Sequence, residues 1–173
     1  MPIPTLPRKY YGVVAIALSL ALLAYALLGS SDEDKIVARL KELAAAVEPQ
    51  EGENVLFRTA RLKKLFGQAL EPNASISAPE LPTTTGRDEL LALAVGAQRF
   101  SNQFRINLGA TDVRIDGDDA RAVSAVTLMG VEGSELHGDR RSVRFRLRKD
   151  GGEWRVGSIE VEAKSEEEPE ARP

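Results

Sequence analysis

The sequence predicts an α+β domain in which three helices pack on a curved antiparallel sheet, a cone-shaped half barrel, preceded by one transmembrane helix. Three observations predict this. The run 11–29, YGVVAIALSLALLAYALLG, contains no charged residue. Apolar residues then recur with a helical period until about residue 101 and with a period of two from about residue 104. Two turn signals, DGDD at 116–119 and GG at 151–152, divide the second part into hairpins.

The apolar run is long enough to cross a bilayer as a helix, which takes about 20 residues. Arg8 and Lys9 precede it and three acids, 32–34, follow it, so residues 1–10 are expected to stay in the cytoplasm. We predict an uncleaved, single-pass signal anchor in a bacterial inner membrane, with the domain in the periplasm or, in a monoderm cell, outside the cell. A cleaved signal peptide is the alternative, although its apolar region is usually shorter. A lipoprotein is excluded because Ser30 stands where a lipid-bearing cysteine would be needed.

Composition excludes several kinds of chemistry. The 173 residues include no cysteine and a single histidine, His137, so disulfides, thiolate zinc sites and imidazole-rich metal sites are ruled out within one chain. No cofactor and no metal are predicted. Residues 160–173 carry six acids and two bases, so the acidic net charge of −3 is a property of this end of the chain. The segment 163–173 is predicted to be disordered. The remaining domain, 34–162, is close to neutral, so nucleic acid is not an expected partner.

Three helices are predicted before residue 104, over about 34–47, 55–70 and 86–101. Ser31 with Asp34 forms a capping-box pattern at the first helix, and Asn54 is the predicted N-cap of the second. An extended piece at 73–77 and a loop around two prolines separate the second helix from the third. Four strands then follow, at 104–118, 120–131, 140–150 and 153–162, with a polar loop at 132–139.

The last hairpin can be checked by its register. If 151–152 is a two-residue turn, Leu147 lies opposite Val156. Beyond Gly157 the apolar parity shifts by one residue. A β-bulge at Gly157 would restore Ile159 and Val161 to the core side.

Four segments of the sequence resemble the nuclear transport factor 2-like superfamily, in its bacterial SnoaL-like, cystatin-like branch. They are ARLKKLFGQALEPNASIS (60–77), TTTGRDELLALA (83–94), DVRIDGDDARAVSAVTL (112–128) and GGEWRVGSIEVE (151–162). The resemblance covers roughly 35–162. It implies an apolar pocket between sheet and helices, and a fold that hosts many functions.

The pocket lining expected from this resemblance consists of apolar side chains from helices and strands. They are Phe57, Phe66, Leu91, Phe100, Phe145 and Trp154. The catalytic groups of the family's enzymes are mostly missing, because every tyrosine lies at or before residue 25. His137, in the predicted loop between Glu135 and Asp139, is interpreted as a solvated histidine. The alternative is a general base working with one of these two carboxylates.

The sheet's outer face is predicted to carry a cationic patch, Arg144, Arg146, Arg148 and Arg155. Such a patch suits anionic headgroups or an acidic partner, or it is a solvated face neutralised by nearby acids. Homodimer formation through the sheet is a third interpretation.

Two functional hypotheses follow. The first is a non-catalytic, membrane-anchored domain that binds a small apolar ligand or a protein partner at the cell envelope. The second is an isomerase or dehydratase that uses His137. The sequence leaves the ligand and the oligomeric state open.

Overall fold

The computed structural model describes residues 31–50, 52–97, 104–132 and 135–163. The described residues from Ile36 onward form one compact unit. In the part of the chain that is described, no helix is both long and apolar enough to cross a membrane. The predicted span 11–29 lies outside the described residues.

Three helices precede most of the sheet. They are α1 (Asp32–Val47), α2 (Val55–Ala69) and α3 (Arg87–Ala97). The predicted capping box is confirmed at α1, where the backbone N–H of Asp34 donates to Ser31 Oγ at 3.1 Å and the Ser31 N–H donates to Asp34 Oδ2 at 3.1 Å. The N-cap of α2 is also confirmed, since the Phe57 N–H donates to Asn54 Oδ1 at 2.9 Å.

Six strands form one sheet. They are β1 (Leu70–Ala78), β2 (Leu81–Thr85), β3 (Phe104–Asp116), β4 (Asp119–Glu132), β5 (Glu135–Asp150) and β6 (Glu153–Val161), in the spatial order β2-β1-β6-β5-β4-β3. The prediction of a wholly antiparallel sheet is wrong, because β1 pairs with β6 in parallel. The predicted proline loop instead contains β2, which is an edge strand of the sheet. Edge strands are where a proline such as Pro82 is tolerated.

The predicted polar loop 132–139 is also wrong in part. The ladder between β4 and β5 continues to Glu132 opposite Glu135, so most of this segment is strand. Polar residues are tolerated there because backbone pairing, rather than side-chain burial, satisfies the N–H and C=O groups of the two strands.

The register predicted for the last hairpin is confirmed. Leu147 lies opposite Val156, and the ladder skips Gly157, so that Phe145 lies opposite Ile159. The bulge returns Ile159 and Val161 to the side that packs against the core.

One hydrophobic cluster joins the helices to one face of the sheet. It contains Ile36 and Leu40 of α1, Leu62 and Phe66 of α2, Leu90 of α3, and Ala122, Phe145, Trp154 and Val156 of the strands. Side chains alternate along a strand, so positions in step with Ala122 and Phe145 lie on this helix-covered face. The positions between them, including the arginines of β5, lie on the outer face.

Candidate ligand site at the open end of the sheet

The helix-covered face becomes exposed at one end of strands β3, β4 and β5. Cross-strand pairs there are Ile106 with Leu128, Leu108 with Val126, Val126 with Arg141, and Leu128 with Asp139. We call these six residues, Ile106, Leu108, Val126, Leu128, Asp139 and Arg141, the open end. They share one face because paired residues of an antiparallel ladder point the same way.

Apolar side chains at the open end are only partly covered. The side chains of Leu108 and Val126 are half-buried against the core, and Leu128 is 46% exposed. Leu128 is therefore a large apolar side chain that stays partly exposed on the helix-covered face, as Ile115 does at the opposite end of β3. A solvent-accessible apolar surface beside charged groups is typical of a ligand site.

An ionic cluster borders this apolar surface. Arg141 donates from Nε to Asp139 Oδ2 at 2.9 Å and from Nη1 to Glu80 Oε1 at 2.6 Å. The hydrogen bond from Arg141 lowers the pKa of Glu80, and the one to Glu80 raises the pKa of Arg141. Because Glu80 lies between β1 and β2, the cluster ties that turn to β5 at the open end.

One carboxylate oxygen of Asp139 accepts no hydrogen bond from the described residues. Its Oδ2 accepts from Arg141, whereas Oδ1 is shielded from solvent and has no hydrogen-bond partner among the described residues. A shielded carboxylate oxygen without a donor is unfavourable, so this oxygen can accept a hydrogen bond from a bound molecule.

The helix side carries an arginine that sequence reasoning missed. Arg58 of α2 is fully buried. Its Nη2 donates to the carbonyl oxygens of Val47 at 2.5 Å and of Ala94 at 3.4 Å, near the C-termini of α1 and α3. Burial lowers the pKa of Arg58, since it disfavours the charged form. Nε and Nη1 have no partner in the part of the chain that the structure describes.

The loop after α1 connects Arg58 to the open end. Val47 accepts from Arg58, and the next residue, Glu48, accepts from the backbone N–H of Ile106 at 2.7 Å. Because β3 is an edge strand, this contact satisfies a backbone donor that the ladder leaves free. Arg58 therefore stands on the helix side of the same region whose sheet side carries Ile106.

A second arginine in α2 has a complete set of partners. Arg61 binds both carboxylate oxygens of Glu53, each at 2.7 Å, and donates from Nη1 to the carbonyl oxygen of Ala46 at 2.6 Å. The hydrogen bond from Arg61 lowers the pKa of Glu53. Glu53 is thus already engaged by Arg61 and does not form an ion pair with Arg58 among the contacts of the described residues.

Four of the six residues that are predicted to line a pocket lie in or against the core cluster. Phe66, Phe145 and Trp154 are buried in the core cluster. Leu91 packs against that cluster, Phe57 is 71% exposed at the start of α2, and Phe100 lies outside the described residues.

Phe66 and Leu91 also line an open cleft of about 380 Å³ between α2 and the first turn of α3. Its charged residues are of both signs, with Lys63 and Arg87 beside Asp88 and Glu89. This balance of charge gives the cleft no preference for an anion or a cation.

The alternative catalytic residues lie on β5 and not in a loop. His137 lies opposite Gly130 and Glu135 opposite Glu132 in the ladder, and the side chains of both are outside the described part of the structure. Position 137 is in step with Asp139 and Arg141 along the strand. No group of three or more histidine, aspartate or glutamate side chains that could hold a metal is found among the described residues.

The predicted cationic patch is matched by acids on the same outer face. Arg144 contacts Glu162 and Glu160, and Arg146 contacts Glu160 at 3.2 Å. Arg148 pairs with Asp119 at 3.2 Å, and Arg155 with Asp150 at 3.1 Å. The hydrogen bond from Arg144 lowers the pKa of Glu162. These pairs reduce the positive potential that the arginines alone would produce.

No protein-family model matches the chain, and no curated protein matches it. Solved structures do match. A protein with a cystatin-like fold from Novosphingobium aromaticivorans has a TM-score of 0.64 at 16% identity, covering 88% of this chain and 90% of that one. A candidate dehydratase of the NTF2-like family from Streptomyces avermitilis has a TM-score of 0.60 at 17% identity, over 75% and 94% of the two chains.

The domain has the nuclear transport factor 2-like fold. A third similar structure, from Xanthomonas campestris, is described as a candidate association domain of calcium/calmodulin-dependent protein kinase II, with a TM-score of 0.62 at 13% identity over 80% and 92% of the two chains. A dehydratase candidate and an association domain share this architecture, so the nuclear transport factor 2-like fold alone decides no activity.

Proposed function

We propose that this chain is a membrane-anchored, non-catalytic domain that binds a small, mainly apolar ligand at the open end of its sheet. The observation that supports this most is the partial exposure of Leu128 and its neighbours on the face of the sheet that also carries the core cluster. Apolar surface with a few polar groups at its border is the usual composition of a small-molecule site.

Binding of 3-phenylpropan-1-ol, a soluble molecule with an apolar body, tests the proposed site. The full chain in lipid nanodiscs is titrated by calorimetry, with empty nanodiscs subtracted. Leu128→Asn is expected to weaken binding about tenfold, because the apolar contact with the ligand is lost and a polar amide takes its place. Leu81→Asn is the matched control, because Leu81 is 53% exposed on β2, outside the open end. Equal effects of the two substitutions would argue against the site.

The anchor is proposed from the sequence of 11–29, whose 19 residues are uncharged. Carbonate extraction of membranes tests it. The full-length chain is expected to stay in the pellet, and its release into the supernatant would refute the anchor and the envelope location together.

An enzyme of the isomerase or dehydratase kind is the second candidate. It is favoured by the ladder position of His137, in step with Asp139 at the open end, and by the similarity to a candidate dehydratase. His137 is the sole histidine, so its imidazole gives one resolved NMR signal. Asp139→Asn shifts that signal strongly if Asp139 orients the imidazole, and Glu135→Gln does so if Glu135 is the partner. A signal that is unchanged in both variants removes this candidate.

Assembly partners are proposed on the outer face of the sheet, either a second copy of this chain or another envelope protein. Val123, 40% exposed on β4, lies on that face beside the ion-paired arginines. If the sheet mediates a homodimer, Val123→Asp converts it into a monomer in sedimentation measurements, and a wild-type chain that sediments as a monomer excludes the homodimer.

A further inference from the structure

Arg58 is a buried cation whose hydrogen-bonding capacity is only partly used. The side chain is fully buried, Nη2 donates to two carbonyl oxygens, and Nε and Nη1 have no partner among the described residues. A guanidinium offers five N–H donors and stays charged at any ordinary pH. A buried charge without a counter-charge is strongly unfavourable, so a second group is needed beside it.

The chain itself does not provide a full counter-charge in the described residues. The carbonyl oxygens of Val47 and Ala94 carry the partial negative charge of helix C-termini. The carboxylate whose charge acts on Arg58 is that of Glu53. Both oxygens of this carboxylate are bound by Arg61. A bound anionic ligand can supply the counter-charge that Arg58 lacks.

The place of Arg58 shows which ligand would reach it. Val47 accepts from Arg58, and Glu48 beside it holds the backbone N–H of Ile106 at the open end. A ligand that lies on Leu108, Val126 and Leu128 would therefore face the part of the helix layer that carries Arg58. One fixed positive charge is best balanced by one negative charge, and planar guanidinium and carboxylate groups match in geometry.

We propose that the open end binds a small amphiphilic carboxylate, with its apolar body on the sheet and its carboxylate accepting hydrogen bonds from Nε and Nη1 of Arg58. This inference rests on the proposed ligand-binding function and names the class of ligand. Arg58 then binds the ligand through Nε and Nη1, while Nη2 still donates hydrogen bonds to carbonyl oxygens near the ends of α1 and α3.

Two probes that differ in one group test this proposal. The full chain in nanodiscs is titrated with 3-phenylpropanoate and with 3-phenylpropan-1-ol, which share the same apolar body. The wild-type chain is expected to bind the carboxylate at least about tenfold more tightly, as a charge-assisted contact to a buried guanidinium requires. Equal binding of the two probes overturns the inference and leaves the proposed function standing. Binding of neither probe contradicts the proposed function itself.

Substitutions in α2 locate the effect. Arg58→Met is expected to remove the preference for the carboxylate while the alcohol still binds. Arg61→Met is the matched control, because Arg61 lies one turn away, also binds a carbonyl oxygen at the end of α1, and has its charge paired by Glu53. Arg61→Met should therefore keep the preference. A loss of preference in both variants, or in Arg61→Met alone, contradicts the assignment.

If Arg58→Met does not fold, a second variant and a measurement on the wild-type chain still test the proposal. Arg58→Lys keeps the charge, and it is expected to retain part of the preference for 3-phenylpropanoate. The thermal midpoint of the wild-type chain gives a further measure, since the carboxylate should raise it and the alcohol should raise it less at the same concentration. A larger shift with the alcohol would overturn the proposal.

Discussion

Position 58 shows that the helical spacing, and not the type of residue, indicates which positions of α2 are buried. The buried residues of α2 are Arg58, Leu62, Leu65, Phe66 and Ala69, which follow the spacing of one helical face. The resemblance implies that Phe57 lines the pocket, although the residues four and seven positions later, Arg61 and Lys64, are both charged. The spacing alone predicts that position 58 is buried and position 57 exposed.

Arg141 could have been found in the same way. It lies in step with Val143, Phe145 and Leu147, the apolar positions of β5. Arg141 lies within the predicted strand 140–150, and the alternation alone places it on the helix-covered face. The contact with Glu80, 61 positions away in sequence, could not be predicted, because no local pattern relates the β1–β2 turn to β5.

The N-cap of α2 gives a prediction for a single side chain. Asn54→Ala removes the acceptor for the Phe57 N–H, and it is expected to lower the free energy of unfolding by about 1 kcal/mol. Chemical denaturation measures the change. Asn73→Ala is the control, because Asn73 is exposed on β1 and should change the stability little. A similar loss at both positions would show that the cap contributes nothing specific.

The ion pair between Glu53 and Arg61 gives a prediction about pH. Arg61 lowers the pKa of Glu53 in the folded chain, so the pair stabilises the fold above the pKa of an unfolded glutamate, about 4.3, and this stability is lost as the pH falls further. Glu53→Gln is expected to be less stable than wild type at pH 7, and its stability should fall less between pH 5 and pH 3.

Denaturation curves at several pH values measure both effects. Glu33→Gln, at an exposed position of α1, controls for the loss of one carboxylate. Parallel pH profiles for the wild type and Glu53→Gln would contradict the role of the pair.

At the scale of elements, local signals predict hairpins well and sheet edges poorly. The turns at 116–119 and 151–152 and the bulge at Gly157 all follow from glycine placement and alternation. Strand β2 and its pairing with β1 were missed, because two prolines nearby are typical of a loop. The parallel pairing of β1 with β6 joins segments about 80 residues apart in sequence, and only tertiary packing defines it.

Two glycines are expected to respond in opposite directions to the same substitution. Gly152 has φ 87° in the β5–β6 turn, so Gly152→Ala should destabilise the chain by about 1–2 kcal/mol. Gly67 lies within α2 with open space around its Cα, so Gly67→Ala should stabilise it by up to about 1 kcal/mol. Thermal unfolding of the two variants measures the difference. A gain in stability at Gly152 would contradict the turn geometry.

At the scale of the whole molecule, the order of helices and strands was enough to predict the fold, and the composition was enough to exclude many sites. The class of ligand required the folded structure. Arg58, the open end and the turn at Glu80 are far apart in sequence, and only packing relates the burial of the arginine to the exposed apolar side chains of β4. The proposed function therefore depends on whether the open end takes up a ligand.

Methyl NMR tests that claim most directly. The full chain in nanodiscs, with labelled leucine and valine methyl groups, is titrated with 3-phenylpropanoate. We expect shifts for Leu108, Val126 and Leu128, and none for Leu56 or Leu81, which are exposed outside the open end. Shifts confined to Leu56 or Leu81, or no shift at the three open-end residues up to saturating probe, would contradict that claim.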